Sequence, residues 1–163
     1  MTAVRLTLGV ALASMAAVAC TPMHSRLQPY RDCPAAEAVL ARRARTICSC
    51  LRADQRLPPH AFTTDGCSMS PDGDWSDCCV DHDIAYWCGG SRDDRREADR
   101  RLASCVVARG HSHGFGECVR LAVRAGGVPW KPFPWRWAYG WEGLRGYEHT
   151  PQGRDAGACF MTP

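Results

Sequence analysis

Eleven cysteines in a chain of 163 residues constrain the fold more than any other feature of this sequence. That density is far above cytosolic usage, so it predicts an oxidising compartment in which disulfides staple a small domain. The length allows a single domain with a modest core. The net charge of +3 is small and argues against nucleic acid as a partner.

Residues 1–19 have the features of a signal peptide. Arg5 supplies a positive charge, and the apolar run from Leu6 to Ala19 is too short to span a bilayer comfortably. Ala17-Val18-Ala19-Cys20 fits either cleavage before a lipidated Cys20 or ordinary cleavage after a small-x-small site. Setting Cys20 aside leaves ten of the eleven cysteines, an even number that favours the lipoprotein. We therefore expect an exported protein, anchored to the cell envelope through Cys20 or otherwise secreted.

A tether and one domain are predicted to follow. Residues 20–32 are polar with two prolines, as expected of a flexible tether, and residues 33–163 form the domain. Pro34 opens a helix at its first position, and apolar residues then recur at helical spacing as far as Leu51. Three cysteines could bind a metal here, but their spacing favours disulfides that staple this helix. They are Cys33, Cys48 and Cys50.

The stretch from Trp75 to Gly90 predicts a helix that carries the chemistry. Asp74 or Ser76 can cap its start, and Gly89-Gly90 can end it. Four side chains lie at i, i+3, i+4 and i+7 and so share one face. They are Cys79, His82, Asp83 and Tyr86. A face that only packs against a core would carry Leu and Ile, so these polar groups indicate a site.

A second helix is predicted to lie antiparallel to the first. Ser91 and Asp94 form a capping box, and the helix runs to about Ala108. The turn at Gly90-Ser91 is short, so the two helices should be neighbours, with Asp99 level with His82. Both residues would lie about 12–14 Å from the turn at ~1.5 Å per residue. A carboxylate in that position can fix the imidazole tautomer and prepare its other nitrogen as a base.

Three motifs resemble those of secreted phospholipases A2, in the same order along the chain. Cys78-Cys79-x-x-His82-Asp83-x-x-Tyr86 resembles the active-site helix of that family, and Ala98-Asp99-Arg100 resembles its second catalytic helix. The segment from Thr64 to Asp72 is similar to the calcium loop of the bacterial branch. The resemblance implies a mainly α fold: a small disulfide-stapled domain built on two antiparallel catalytic helices.

The resemblance also implies calcium-dependent hydrolysis of a phospholipid acyl ester at a membrane surface. His82 would be the general base, Asp99 would orient it, and Tyr86 would join their network. No serine or cysteine nucleophile is then needed, because the base activates a water molecule. With the level placement of Cys78 and Cys105 across the hairpin, the family pattern implies the disulfides Cys67–Cys79 and Cys78–Cys105.

Calcium is the cofactor that the resemblance implies. Asp65, the carbonyl of Gly66 and Asp83 would hold Ca²⁺, which prefers such oxygen ligands. Asp72 and Asp74 are expected only to cap turns, and capping is also the alternative role for Asp65.

Downstream of the second helix, the sequence predicts a loop, a third helix and an aromatic tail. His111 and His113 lie in the loop and are expected to bind nothing, and the helix spans about residues 115–124. The prolines of residues 128–141 exclude a regular helix there. The tryptophans and tyrosine of this tail either dock on lipid or wrap the core.

Two other functions use the same features. One is a catalytically silent, calcium-stabilised binding module on the cell envelope. The other is a structural lipoprotein in which His82 and Asp99 merely form a buried pair. For the phospholipase-like reading we expect a monomer.

Overall fold

The protein is described here by a computed structural model that covers residues 33–68, 73–130, 139–140, 146–148 and 155–161. Within these ranges it contains five helices and no strand, so the prediction of a mainly α fold is confirmed. The helices are α1 (Pro34–Leu51), α2 (Ser76–Cys88), α3 (Arg92–Ala108), α4 (His113–Gly126) and α5 (Ala156–Met161). None of the helices described is long and apolar enough to cross a membrane. The predicted signal peptide and tether, and most of the aromatic tail, lie outside these ranges.

The helix ends follow the predicted signals in α1 and α3 and at the end of α2, but not at the start of α2. Pro34 is the first residue of α1, and Ser91 forms the predicted capping box with Asp94 at the start of α3. The predicted N-cap of α2, Asp74 or Ser76, was wrong, because Trp75 occupies that position without a side-chain hydrogen bond. The Asp74 carboxylate instead lies 3.0 Å from the His111 ring. Gly89 ends α2 with a positive φ of 73°, a conformation that suits glycine.

Helix α4 begins earlier than the sequence suggested. Ser112 caps it by accepting a hydrogen bond from the Phe115 backbone N–H at 3.2 Å. His113 is therefore the first residue of the helix rather than part of the loop. Gly116 lets α4 lie close to α3, since an added Cβ would come within 2.9 Å of the Ala103 carbonyl oxygen.

Four disulfides hold the described helices together. Both predicted bonds, Cys67–Cys79 and Cys78–Cys105, are confirmed. The prediction that cysteines staple α1 is also confirmed for two of the three named, because Cys48–Cys88 joins α1 to α2 and Cys50–Cys159 joins it to α5. Each such bond typically adds about 2–4 kcal/mol of stability.

Cys118 has no disulfide partner among the described residues. It lies on α4 and its thiol is exposed. The ten cysteines other than Cys20 are therefore not all paired with one another, although their number is even. The parity argument for a lipidated Cys20 loses its force, and the lipoprotein prediction rests on the sequence of residues 1–20 alone.

Helices α2 and α3 lie antiparallel, in the predicted register. Cys78 contacts Cys105 at one end, His82 contacts Asp99 in the middle, and Tyr86 contacts Arg95 at the other end. On its other side α2 packs against α1 in an apolar core. The buried side chains of this core include Ala44, Ile47, Leu51, Phe62, Val80 and Ile84. Packing on both sides holds α2 rigidly and fixes the direction of its polar face.

Candidate active site

His82 and Asp99 form a buried pair at the centre of the helix hairpin. The His82 side chain is 7 % exposed, the Asp99 side chain is fully buried, and Nε2 of His82 lies 3.0 Å from Oδ1 of Asp99. Because a carboxylate accepts hydrogen bonds, Nε2 carries the ring hydrogen and donates it. Nδ1 then keeps its lone pair and can accept a proton. The predicted proximity of these two residues is confirmed.

Tyr86 joins the pair, as predicted. Its hydroxyl donates to Oδ1 of Asp99 at 2.7 Å, and its ring centroid lies 4.0 Å from that of His82. Burial, followed by the negative charge of Asp99, raises the pKa of Tyr86 well above its usual value. The phenol therefore keeps its hydrogen and acts as a donor. Gly127 allows this close packing, since a side chain there would overlap the Tyr86 ring.

The buried guanidinium of Arg95 is a part of the site that sequence reasoning missed. Its Nε donates to the Tyr86 hydroxyl at 3.0 Å and its Nη1 to the Tyr147 hydroxyl at 2.7 Å. Its Nη2 donates to two backbone carbonyls at the end of α4, those of Val123 at 3.1 Å and Arg124 at 2.6 Å. The side chain is only 1 % exposed. Arg95 therefore connects the hydroxyl that contacts Asp99 to α4.

A second arginine approaches Asp99 directly. Nε of Arg124 lies 2.9 Å from Oδ2 of Asp99. Oδ2 has no hydrogen-bond partner among the described residues, so this is a charge contact without the alignment of a hydrogen bond. One oxygen of the Asp99 carboxylate thus receives two donors, while the other faces a positive charge.

A cavity of about 460 Å³ opens beside this network. Cys79, His82, Asp83 and Tyr86 all line it, which confirms that the four side chains share one face of α2. The opposite wall is largely apolar and comes from α3 and α4. It includes Leu102, Phe115, Val119, Ala122 and Val123. The site therefore combines one imidazole and one carboxylate with a surface that suits a hydrocarbon chain.

The predicted calcium ligands are only partly brought together. Asp83 is buried, lines the cavity with Gly66, and accepts a hydrogen bond at Oδ2 from the Thr64 hydroxyl at 2.6 Å. Asp65 is not among the cavity-lining residues, and its Oδ1 accepts from the Ser68 hydroxyl at 2.9 Å. In the part of the chain described, no three His, Cys, Asp or Glu side chains are grouped to hold a metal. Of the three predicted ligands, Asp83 and Gly66 therefore lie at the cavity, and Asp65 lies outside its lining.

Two aromatic residues of the tail fall within the described ranges. Tyr139 is buried with its ring edge-on to Tyr86 at 5.1 Å, so it wraps the core. Trp130 is 53 % exposed, and its ring lies 5.5 Å from that of Tyr147 in an edge-on arrangement. Within the tail, Tyr139 thus covers the polar network, whereas Trp130 presents an aromatic ring to solvent.

Protonation of His82 is expected to destabilise the fold. Burial lowers the pKa of His82 below its usual 6.5, although the bond to Asp99 opposes this. Between the lowered pKa and 6.5 the unfolded chain binds more protons, so the free energy of unfolding falls as the pH drops through that window. We expect NMR titration of the metal-free protein to give a midpoint below 6.5 for His82. A midpoint above 6.5 would show that Asp99 outweighs burial.

The comparisons with known proteins found no match. No family model, no curated protein and no solved structure is similar enough to this chain to be reported. What the site can do chemically is therefore inferred from its own geometry.

Proposed function

We propose that this protein is a phospholipase A2-like hydrolase of the bacterial type, which cleaves an acyl ester of a phospholipid with the help of calcium. The observation that carries the proposal is the His82–Asp99 pair at the edge of an apolar cavity. One ring nitrogen is engaged by a buried carboxylate 3.0 Å away, which leaves the other to act as a base, and His82 lines a cavity with space for an acyl chain.

In this proposal His82 takes a proton from a water molecule as the water attacks the ester carbonyl. Its lowered pKa keeps the ring neutral near pH 7, which is the form that acts as a base. Asp99 stabilises the imidazolium that forms, and the Tyr86 hydroxyl holds Asp99 in place at 2.7 Å. General-base catalysis of this kind typically contributes about 10²–10⁴ in rate.

The apolar wall of the cavity supports a lipid substrate. Phe115 lines the cavity and is also 40 % exposed, so it can contact both a bound acyl chain and a lipid surface. Leu121 of α4 and Trp130 just beyond it are exposed as well. Of these three only Phe115 lines the cavity. Exposed aromatic and aliphatic side chains are typical of proteins that contact membranes. The partner we propose is therefore a phospholipid membrane surface.

Calcium is proposed to bind at the cavity through the Asp83 carboxylate and the Gly66 carbonyl, with Asp65 as a further ligand from the same loop. When bound, it would polarise the ester carbonyl and offset the charge of the phosphate. The hydroxyl of Thr64 already connects this loop to Asp83, because it donates to Asp83 and accepts from the Gly66 N–H at 3.0 Å.

Export is also part of the proposal. The protein would be anchored to the cell envelope through Cys20 or otherwise secreted, on the strength of the sequence of residues 1–20. The four disulfides support an oxidising compartment.

A calcium titration of fatty-acid release from phospholipid vesicles tests this function. We expect release by the wild type to rise with calcium and to stop when a chelator is added. Asp83→Asn should need at least about tenfold more calcium, because it removes a charge from a site for a hard cation. Asp93→Asn is the matched control, since Asp93 is an exposed residue of α3 paired with Arg96. Equal calcium dependence of the two variants would contradict the assignment of Asp83.

A further inference from the structure

A second cavity, of about 250 Å³, lies on the α5 side of the helix hairpin, whereas the cavity described above lies on its α4 side. We call the two the rear cavity and the front cavity. The lining of the rear cavity comes from α2, α3 and α5 and is largely apolar. It includes Cys78, Ala98, Cys105, Gly157 and Phe160, with Asp81, Arg101 and Ser104 as polar members. The hydrolysis proposed above makes no use of this space.

Among the described residues, only His82 and Leu102 line both cavities. Leu102 lies three residues after Asp99 and therefore on the same side of α3. Its side chain is 3 % exposed and belongs to an apolar cluster with Trp75 and Val106. Because no other described lining residue is shared, the His82 ring and the Leu102 side chain separate the two spaces.

An acyl chain in the front cavity would meet Leu102 close to its ester group. The proposed reaction places the ester carbonyl one water molecule away from His82, and Leu102 adjoins His82 where the two separate the cavities. Further from the base, the wall continues with Val119 and Phe115. The carbon atoms nearest the carbonyl therefore lie against Leu102, and a branch on them would need the space that this side chain fills.

We propose that Leu102 makes the front cavity selective for acyl chains that are unbranched next to the ester. This inference rests on the hydrolysis proposed above. The wall cannot easily give way, because the Cys78–Cys105 disulfide ties α2 to α3 beside it and packed cores resist added volume. Shortening Leu102 would join the front cavity to the rear cavity, and the largely apolar rear space would then receive the branch.

Leu102→Ala is expected to relax this selectivity. The substrates are phosphatidylcholines carrying octanoyl or dipropylacetyl groups, which are isomers, at equal mole fraction in detergent micelles with calcium. We expect the ratio of kcat/KM for the straight chain to that for the branched chain to fall at least about tenfold from its wild-type value. Both rates come from one sample, so a loss of folded protein cancels in the ratio.

Val106→Ala is the matched control. Val106 is fully buried in the same apolar cluster, one turn further along α3, and it lines neither cavity. Its shortening also leaves a hole in the core but does not join the two cavities. This variant should keep the wild-type ratio.

Binding of the neutral amides of the two acids, followed by NMR on the calcium-free protein, tests the selectivity without hydrolysis. Ala122 and Gly126 line only the front cavity, whereas Ser104 and Gly157 line only the rear cavity. In the wild type, octanamide should shift the Ala122 and Gly126 amide signals saturably, and dipropylacetamide should bind at least about tenfold more weakly. In Leu102→Ala, dipropylacetamide should also shift the Ser104 and Gly157 signals.

The two experiments separate the selectivity from the proposed function. If the wild type discriminates between the amides but hydrolyses no phospholipid, the function is wrong and the selectivity of the cavity stands. The selectivity is overturned if the wild type binds neither amide or both equally, results that need no variant to fold. It is also overturned if Leu102→Ala keeps the wild-type preference, or if Val106→Ala changes that preference as much.

Discussion

His82→Gln is expected to lose at least about a hundredfold in phospholipid hydrolysis while its fold is retained. Glutamine can still donate a hydrogen bond towards Asp99, but it has no basic nitrogen to accept a proton from water. The rate falls because the base is removed, whereas the packing against Tyr86 and the disulfides on either side remains. The measurement is the initial rate of fatty-acid release from vesicles at saturating calcium, together with the near-ultraviolet circular dichroism of each protein.

The matched control for this variant is His113→Gln. His113 is the exposed first residue of α4, and it does not line the cavity. Its replacement should leave the rate within about twofold of the wild type. If His82→Gln retained more than a tenth of the wild-type rate with its fold intact, His82 would not be the base.

Arg95→Met is expected to destabilise the folded protein by on the order of 3 kcal/mol, a change as large as breaking a buried ion pair. Methionine fills the volume but leaves the buried hydroxyl of Tyr86 and the carbonyls of Val123 and Arg124 without their donor. These groups lie at the junction of α2, α3 and α4. The measurement is the urea midpoint of the oxidised protein, converted to a free energy of unfolding.

Arg96→Met controls for the loss of an arginine from the same helix. Arg96 is partly exposed and pairs with Asp93 at the surface, so its removal should cost less than about 1 kcal/mol. Similar urea midpoints for the two variants would show that the Arg95 network adds little to stability. The role proposed for Arg95 in connecting Tyr86 to α4 would then be wrong.

Local patterns in the sequence predicted the parts of this site that depend on helix geometry. The spacing of Cys79, His82, Asp83 and Tyr86 placed them on one face because an α-helix repeats every 3.6 residues. The short turn after Gly90 made the register of the hairpin predictable. For the same reason Asp99 could be placed opposite His82 without any knowledge of the rest of the fold.

These local patterns could not predict the contacts between segments that are distant in the sequence. Six cysteines were left without assigned partners, because Cys48–Cys88 and Cys50–Cys159 depend on how α1 packs against α2 and α5.

Arg95 lies four residues before Asp99, so it could have been placed on the same face of α3. Its burial, however, is created by α4 and Tyr147, whose positions the sequence did not predict. The Asp74 carboxylate was expected to cap a helix, but His111 approaches it from a distant turn.

The two alternative functions explain less of the geometry. A structural lipoprotein would account for a buried His82–Asp99 pair, but it has no use for an apolar cavity beside that pair. A silent calcium-binding module would account for Asp83 and Gly66, but it does not need a histidine whose second nitrogen is left to accept a proton. Hydrolysis of an acyl ester uses all of these features together.

Identification of the products of phospholipid cleavage tests the central claim most directly. The purified mature protein is incubated with defined phospholipid vesicles and calcium, and the lipids are separated and identified by mass spectrometry. We predict free fatty acid and lysophospholipid in equal amounts, both absent when His82→Gln replaces the wild type. Diacylglycerol, phosphatidic acid or unchanged lipid from the folded wild-type protein would contradict the account.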